Sequence, residues 1–220
     1  GVLTQYAERI QAKLSMQNRD YIVSTKNQQL TYQDSNFTLT DIKLGLKGQF
    51  QLQNAAAAIQ FFSKHLNQFT VNRATLIRGL REAKLAGRLE VCTKNNHKIW
   101  LDICHNPGAA ETLVDYFSKT YPETTWPIVI GMLNDKDWLG VLSTLKPICR
   151  LFILTKPLSE RSWNLNDVKE RIPYPHESYK NIQVALNRSF DIDHKVICVG
   201  SFYLVGEVRK LLKLDHFETH

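Results

Sequence analysis

The chain has 220 residues, 43% of them hydrophobic and 22% charged, with a formal net charge of +7. That apolar share is enough for a packed core, which excludes a disordered or fibrous chain, and at about 150 residues per domain the length allows one large domain or two small ones. Lys and Arg are scattered with no dense basic run, so no nucleic-acid partner is expected; a site for small anions, or charge asymmetry within a longer parent chain, explains the excess.

From the N-terminus, Val2, Tyr6, Ile10 and Leu14 fall four apart and predict a helix over residues 2–16. Residues 21–24 and the alternating stretch 37–44 predict short strands with polar turns between them. Two helices follow, one over 51–66 through Asn54 and a run of alanines, the other over 73–84 behind a cap at Asn72. Leu85-Ala-Gly-Arg-Leu-Glu breaks that pattern, and the domain boundary is placed there, separating 1–87 from 88–220. The rhythm then changes to strand and helix in alternation. Strands are expected over 99–104, 127–133, 150–155 and 195–200, and helices over 107–120, 136–146, 164–172, 178–190 and 202–213. Such alternation implies right-handed crossovers and an α/β fold with a mainly parallel sheet. No apolar run approaches the roughly 18 residues that would span a membrane, so no membrane partner is expected. The first residues do not read as a signal peptide. Cys92, Cys104, Cys149 and Cys198 show no Cys-x-x-Cys spacing and are read as reduced core thiols of a cytoplasmic protein, with no metal site.

Three strand-to-helix junctions carry chemistry: Asp102-Ile-Cys-His105-Asn-Pro, Gly131-Met-Leu-Asn-Asp-Lys-Asp137 and Gly200-Ser-Phe-Tyr. In open α/β sheets the carboxyl edge of the strands is where ligands bind, and free N–H groups at helix starts suit phosphate or carboxylate. Asn106 before Pro107 is a strong helix start. Lys136 adds a cation, Ser201 a hydroxyl, and Gly200 lets a ligand approach the backbone closely. Plainer readings stand beside these, with Asp135 and Ser201 as helix caps and His105 as a loop residue facing solvent. Asp102 resists a plain reading, because an acidic residue inside a buried strand is costly unless a partner or ligand uses it.

Five segments in this order resemble the Mur-ligase superfamily: Gln53-Asn54-Ala-Ala-Ala, Gly87-Arg88-Leu-Glu, Leu101-Asp102-Ile-Cys-His105-Asn-Pro, Ile130-Gly-Met-Leu-Asn-Asp-Lys-Asp137 and Val199-Gly-Ser201-Phe. The His-Asn-Pro and Gly-Met-Leu-x-Asp-Lys-Asp pieces point to its folate branch, the folylpolyglutamate synthases and dihydrofolate synthases, over the peptidoglycan ligases. The resemblance implies a Rossmann-like C-terminal domain preceded by an incomplete remnant of the central ATPase domain. It also implies an ATP-dependent ligase that makes an acyl phosphate, which the amino group of L-glutamate displaces to form an amide with dihydropteroate or folate. Asn54 would then contact the adenine side of ATP, Arg88 its phosphates and Asp102 its ribose, while His105 and Ser201 would hold the incoming glutamate, His105 with a catalytic part.

One departure stands out. The family's glycine-rich phosphate loop, Gly-x-x-x-x-Gly-Lys-Ser/Thr, does not occur in this sequence. By the same resemblance the ligands of magnesium and the carbamoylated lysine would lie upstream of Gly1, so the piece is expected not to turn over alone. These ligases are typically monomeric. Two alternatives remain at this point: a piece of a peptidoglycan-type ligase, and a non-catalytic module that binds a nucleotide or an amino acid.

Overall fold

A computed structural model describes residues 1–65, 68 and 72–214, and the chain divides into two compact units, Gly1–Ala83 and Lys84–His220.

The N-terminal unit holds helix α1 (Val2–Arg9), strands β1 (Tyr21–Lys26), β2 (Gln29–Asp34) and β3 (Thr38–Lys43), and helices α2 (Gln49–Lys64) and α3 (Arg73–Glu82). The three strands form an antiparallel meander in the order β1-β2-β3. Asn27 and Gln28 both take positive φ, so β1 turns into β2 through a two-residue mirror-image turn that matches the sheet twist. Leu30, Tyr32, Leu39 and Ile42 of the sheet bury against Leu52, Ala55, Ala56 and Ile59 of α2 and Leu76 of α3. Asn72 caps α3 as expected, its side chain accepting from the Thr75 N–H at 2.9 Å. The expected helix over 2–16 is corrected: α1 stops at Arg9. Gln11 takes φ 54, and the Ala12 N–H reaches back to the Ala7 carbonyl, closing the helix end so that Leu14 leaves the apolar stripe. Leu66, the last residue of the expected second helix, lies outside the described residues.

The C-terminal unit is an α/β sandwich. Its elements are β4 (Glu90–Lys94), β5 (His97–Asp102), α4 (Pro107–Thr120), β6 (Trp126–Ile130), α5 (Trp138–Leu145), β7 (Cys149–Thr155), α6 (Leu165–Arg171), β8 (His176–Tyr179), α7 (Ile182–Ile192), β9 (Lys195–Val199) and α8 (Phe202–Leu211). The six strands run in the order β4-β5-β9-β6-β7-β8, all parallel except β4, which pairs antiparallel with β5. The mainly parallel sheet expected from the alternation is thus present. One face packs Leu101, Val129, Ile153 and Cys198 against Ile182, Leu186, Leu204 and Val208 of α7 and α8. On the other face Trp100 and Trp126 pack on Phe117 of α4. All four cysteines are free and buried. Burial pushes the Cys149 thiol up to about 12 and raises those of Cys104 and Cys198 as well, which keeps them protonated and unreactive.

A second correction concerns residues 178–190. The helix α7 begins only at Ile182, with Asn181 as its cap, and His176–Tyr179 forms the edge strand β8. There Glu177 receives Arg188 through two bonds of 2.8 Å and the Tyr179 hydroxyl at 2.7 Å. The Arg188 guanidinium holds the Glu177 carboxyl down at about 2. The folded value lies below the ordinary one, so the contribution is present above about pH 4.5 and is lost as pH falls toward 2. The pair is partly solvated, and about 1 kcal/mol is a fair magnitude. Glu177→Gln should lower stability to urea by that amount at pH 7, with the gap to wild type closing on acidification; a gap independent of pH would assign the effect to packing.

Candidate active site

The parallel strands place their carboxyl ends on one edge, with Asp102, Val199 and Ile130 level in the register of β5, β9 and β6. Three helices start from that edge, each capped by a side chain. Asn106 accepts from Ala109 N–H, Asp137 from Gly140 N–H, and Ser201 from Leu204 N–H, at 2.9, 2.9 and 3.1 Å. The positive ends of α4, α5 and α8 therefore gather where the sequence junctions were expected to meet.

Gly131 and Gly200 bring their backbones close together just past the ends of β6 and β9. Gly200 takes φ +122, and a Cβ built there would stand 2.7 Å from the Gly131 carbonyl oxygen. Gly200→Ala thus meets both a backbone conformation closed to L side chains and a backbone clash. It should cost about 1–3 kcal/mol and displace the adjacent Ser201, read as a lowered melting temperature. An unchanged melting temperature would show that the β9–α8 turn has another conformation within reach.

Asp102 ends β5 and is buried. Its two oxygens accept backbone N–H groups, Oδ2 from Leu89 at 2.8 Å and Oδ1 from Cys104 at 2.9 Å. Burial pushes its carboxyl above the ordinary range, opposed by those two bonds and by the charges of Arg88 and His105. Leu89 itself is buried and takes φ 46, a left-handed conformation that costs a side-chain-bearing residue about 1–2 kcal/mol. His105 is half-buried rather than a freely solvated loop residue. Its Nδ1 is enclosed and has no hydrogen-bond partner among the described residues. Ser201 is buried, and its hydroxyl caps α8 as the plainer reading had it. Asp135 is corrected, since the cap of α5 is Asp137. Asp135 instead pairs with Arg161 at 2.8 Å and with Lys136, the cation of that junction, at 3.1 Å. Asn54 lies on α2 of the N-terminal unit, exposed, its amide donating to Gln51 Oε1 at 3.1 Å.

Two contributors escaped the sequence reading. Thr155, at the end of β7, is fully buried with its hydroxyl unpartnered among the described residues. Trp163 seats the segment that follows, its Nε1–H donating to the Thr155 carbonyl at 2.7 Å. Nothing in a threonine ending an apolar run, or a tryptophan in a polar stretch, sets them apart in sequence. Among the described residues no group of three or more His, Cys, Asp or Glu is placed to hold a metal ion.

Residues 87–202 match the family model of the Mur ligase, glutamate ligase domain. The chain belongs to the Mur ligase family. Among curated relatives of this Mur ligase chain, the dihydrofolate synthase/folylpolyglutamate synthase of Buchnera aphidicola subsp. Baizongia pistaciae is 27% identical over 98% of the chain and 51% of the relative. The Escherichia coli protein of the same description is 27% identical over 96% and 49%. The Mur ligase chain thus spans about half the length of the curated relatives it matches. Among solved structures, the folylpolyglutamate synthase of Thermotoga maritima superposes with a TM-score of 0.77 at 25% identity, covering 99% of this chain and 52% of that one. Escherichia coli FolC in complex with DHPP and ADP gives a TM-score of 0.83 at 24% identity over 96% and 50%, a likeness of fold.

Proposed function

We propose that this chain supplies the glutamate-accepting part of an ATP-dependent ligase that joins L-glutamate to dihydropteroate, to folates or to both through an acyl phosphate. The observation that carries this reading is the carboxyl edge. Three capped helix starts converge there beside Ser201 and beside a histidine whose enclosed Nδ1 lacks a protein partner. An enclosed polar atom of this kind costs about 1–3 kcal/mol unless something satisfies it, which suits a site that is completed by its substrate.

In the proposed reaction a carboxylate takes the terminal phosphoryl group of ATP. The neutral amine of glutamate then attacks the carbonyl carbon, the C–N bond forms, and the bond to phosphate breaks. His105 orients the amine and takes its proton, while Ser201 and the first N–H groups of α8 hold a glutamate carboxylate. Arg88 faces the phosphates of ATP, Asn54 its adenine and Asp102 its ribose. The reading places magnesium and the main phosphate contacts outside these 220 residues, whose sequence has no phosphate loop.

The decisive experiment assays the complete gene product for ATP- and glutamate-dependent amide formation with dihydropteroate and with folate. Phosphate release without either amide product would overturn the proposal. The 220-residue chain alone should bind ATP only at about millimolar Kd, near −4 kcal/mol, and should not turn over. Micromolar binding in calorimetry would mean that the principal phosphate contacts lie within it.

A further inference from the structure

We infer that Asp102 is a positioning residue for Arg88, a latch that fastens the segment Gly87–Leu89 to the end of β5. This rests on the reading of Arg88 given under the proposed function and adds a task for Asp102 that precedes any ribose contact.

Arg88 stands between two left-handed residues, Gly87 at φ +66 and Leu89 at φ 46. The glycine tolerates that conformation and its place does not admit a side chain, since a Cβ would meet Ile103 Cγ1 at 2.8 Å and Val205 Cγ1 at 2.9 Å. Leu89 does not tolerate it without support, and the support is Asp102 Oδ2, which takes its N–H at 2.8 Å. The other oxygen ties down the Cys104 N–H at 2.9 Å, one residue before His105. One carboxylate therefore fixes the backbone beside Arg88 and the backbone beside His105. Neighbouring bonds close the same loop: Ile103 N–H reaches the Gly87 carbonyl at 2.9 Å, and Gly87 N–H reaches Glu90 Oε2 at 2.9 Å. Glu90 is in turn paired with Arg209 of α8. The buried charge that looked costly in the sequence is thus engaged by the protein's own donors, and a left-handed leucine beside the phosphate-facing arginine is what it holds in place.

Asparagine keeps the shape of the side chain but offers one acceptor and one donor group, so one of the two N–H partners loses its bond. In the 220-residue chain, Asp102→Asn should speed amide exchange at Leu89 or Cys104 by about 10- to 100-fold, the loss of one charge-assisted bond. In the complete ligase the same substitution should weaken ATP and 2′,3′-dideoxy-ATP by the same factor, and adding Arg88→Ala should bring no further loss. In the wild type, with no substitution to endanger folding, the Leu89 and Cys104 amide resonances should both move with the Asp102 carboxyl carbon as pH is changed. A Leu89 amide that ignores the carboxyl, or a nucleotide loss confined to ATP with its ribose hydroxyls, would overturn the latch. Failure of the complete wild-type ligase to bind either nucleotide would instead strike the ATP reading, and the amide titration would still decide the latch.

Discussion

Replacing Trp163 by alanine is expected to cost the C-terminal unit about 3–5 kcal/mol, the range for removing a fully buried large aromatic side chain. The indole is fully buried, stands edge-on to Trp138 with ring centroids 6.2 Å apart, and donates to the Thr155 carbonyl at 2.7 Å. Truncation removes the apolar contacts, opens a cavity and leaves a buried carbonyl without its donor, three losses in one direction. The backbone N–H of Trp163 reaches the Met132 carbonyl at 3.1 Å, and the Asn134 N–H reaches the Arg161 carbonyl at 2.8 Å. The residue thus lies where the segment after β7 is fastened to the segment after β6. Denaturant unfolding followed by circular dichroism measures the effect. A loss below about 1 kcal/mol would mean that the cavity collapses around the remaining side chains.

His105→Ala in the complete ligase should lower kcat by about 100- to 10,000-fold, the range for a positioned general base, and should raise the KM for glutamate while the KM for ATP changes little. The asymmetry follows from geometry. His105 leads directly into the helix start at Asn106, and its Nδ1 is enclosed without a protein partner, whereas the fold engages Asp102 through two backbone groups. Initial rates with each substrate varied in turn test this. Unchanged kcat and glutamate KM would return His105 to a structural loop residue.

The alternation of strands and helices after residue 88 was legible because central parallel strands are apolar on both faces and read as runs, as Ile128–Ile130 and Val196–Val199 do. The edge strands β4 and β8 were not, because their half-solvated sequences, Glu-Val-Cys-Thr-Lys and His-Glu-Ser-Tyr, lack such a run. A signal for β4 was nevertheless present. Asn95 and Asn96, both at positive φ, sit between two strand-like stretches and make the hairpin turn into β5. The end of α1 was missed for the opposite reason: the apolar spacing continues past it, and only the backbone at Gln11 breaks the helix. At the site, the junctions and the common edge could be read from residue order. Which aspartate caps α5 could not, since Asp135 and Asp137 both precede it and only their neighbours distinguish them. The left-handed Leu89 was equally hidden, because leucine carries no local preference for that conformation.

The position of β9 has a consequence for how the unit is made. The last strand among the described residues lies between β5 and β6, near the middle of the sheet. Until it emerges during synthesis, β4 and β5 form one ribbon and β6, β7 and β8 another, with two unpaired inner edges. Every earlier stage of translation therefore exposes open strand edges to neighbouring chains. A nascent chain halted before Lys195 should need a holding chaperone, and release past Leu211 should be the point at which protease resistance appears across the whole sheet at once.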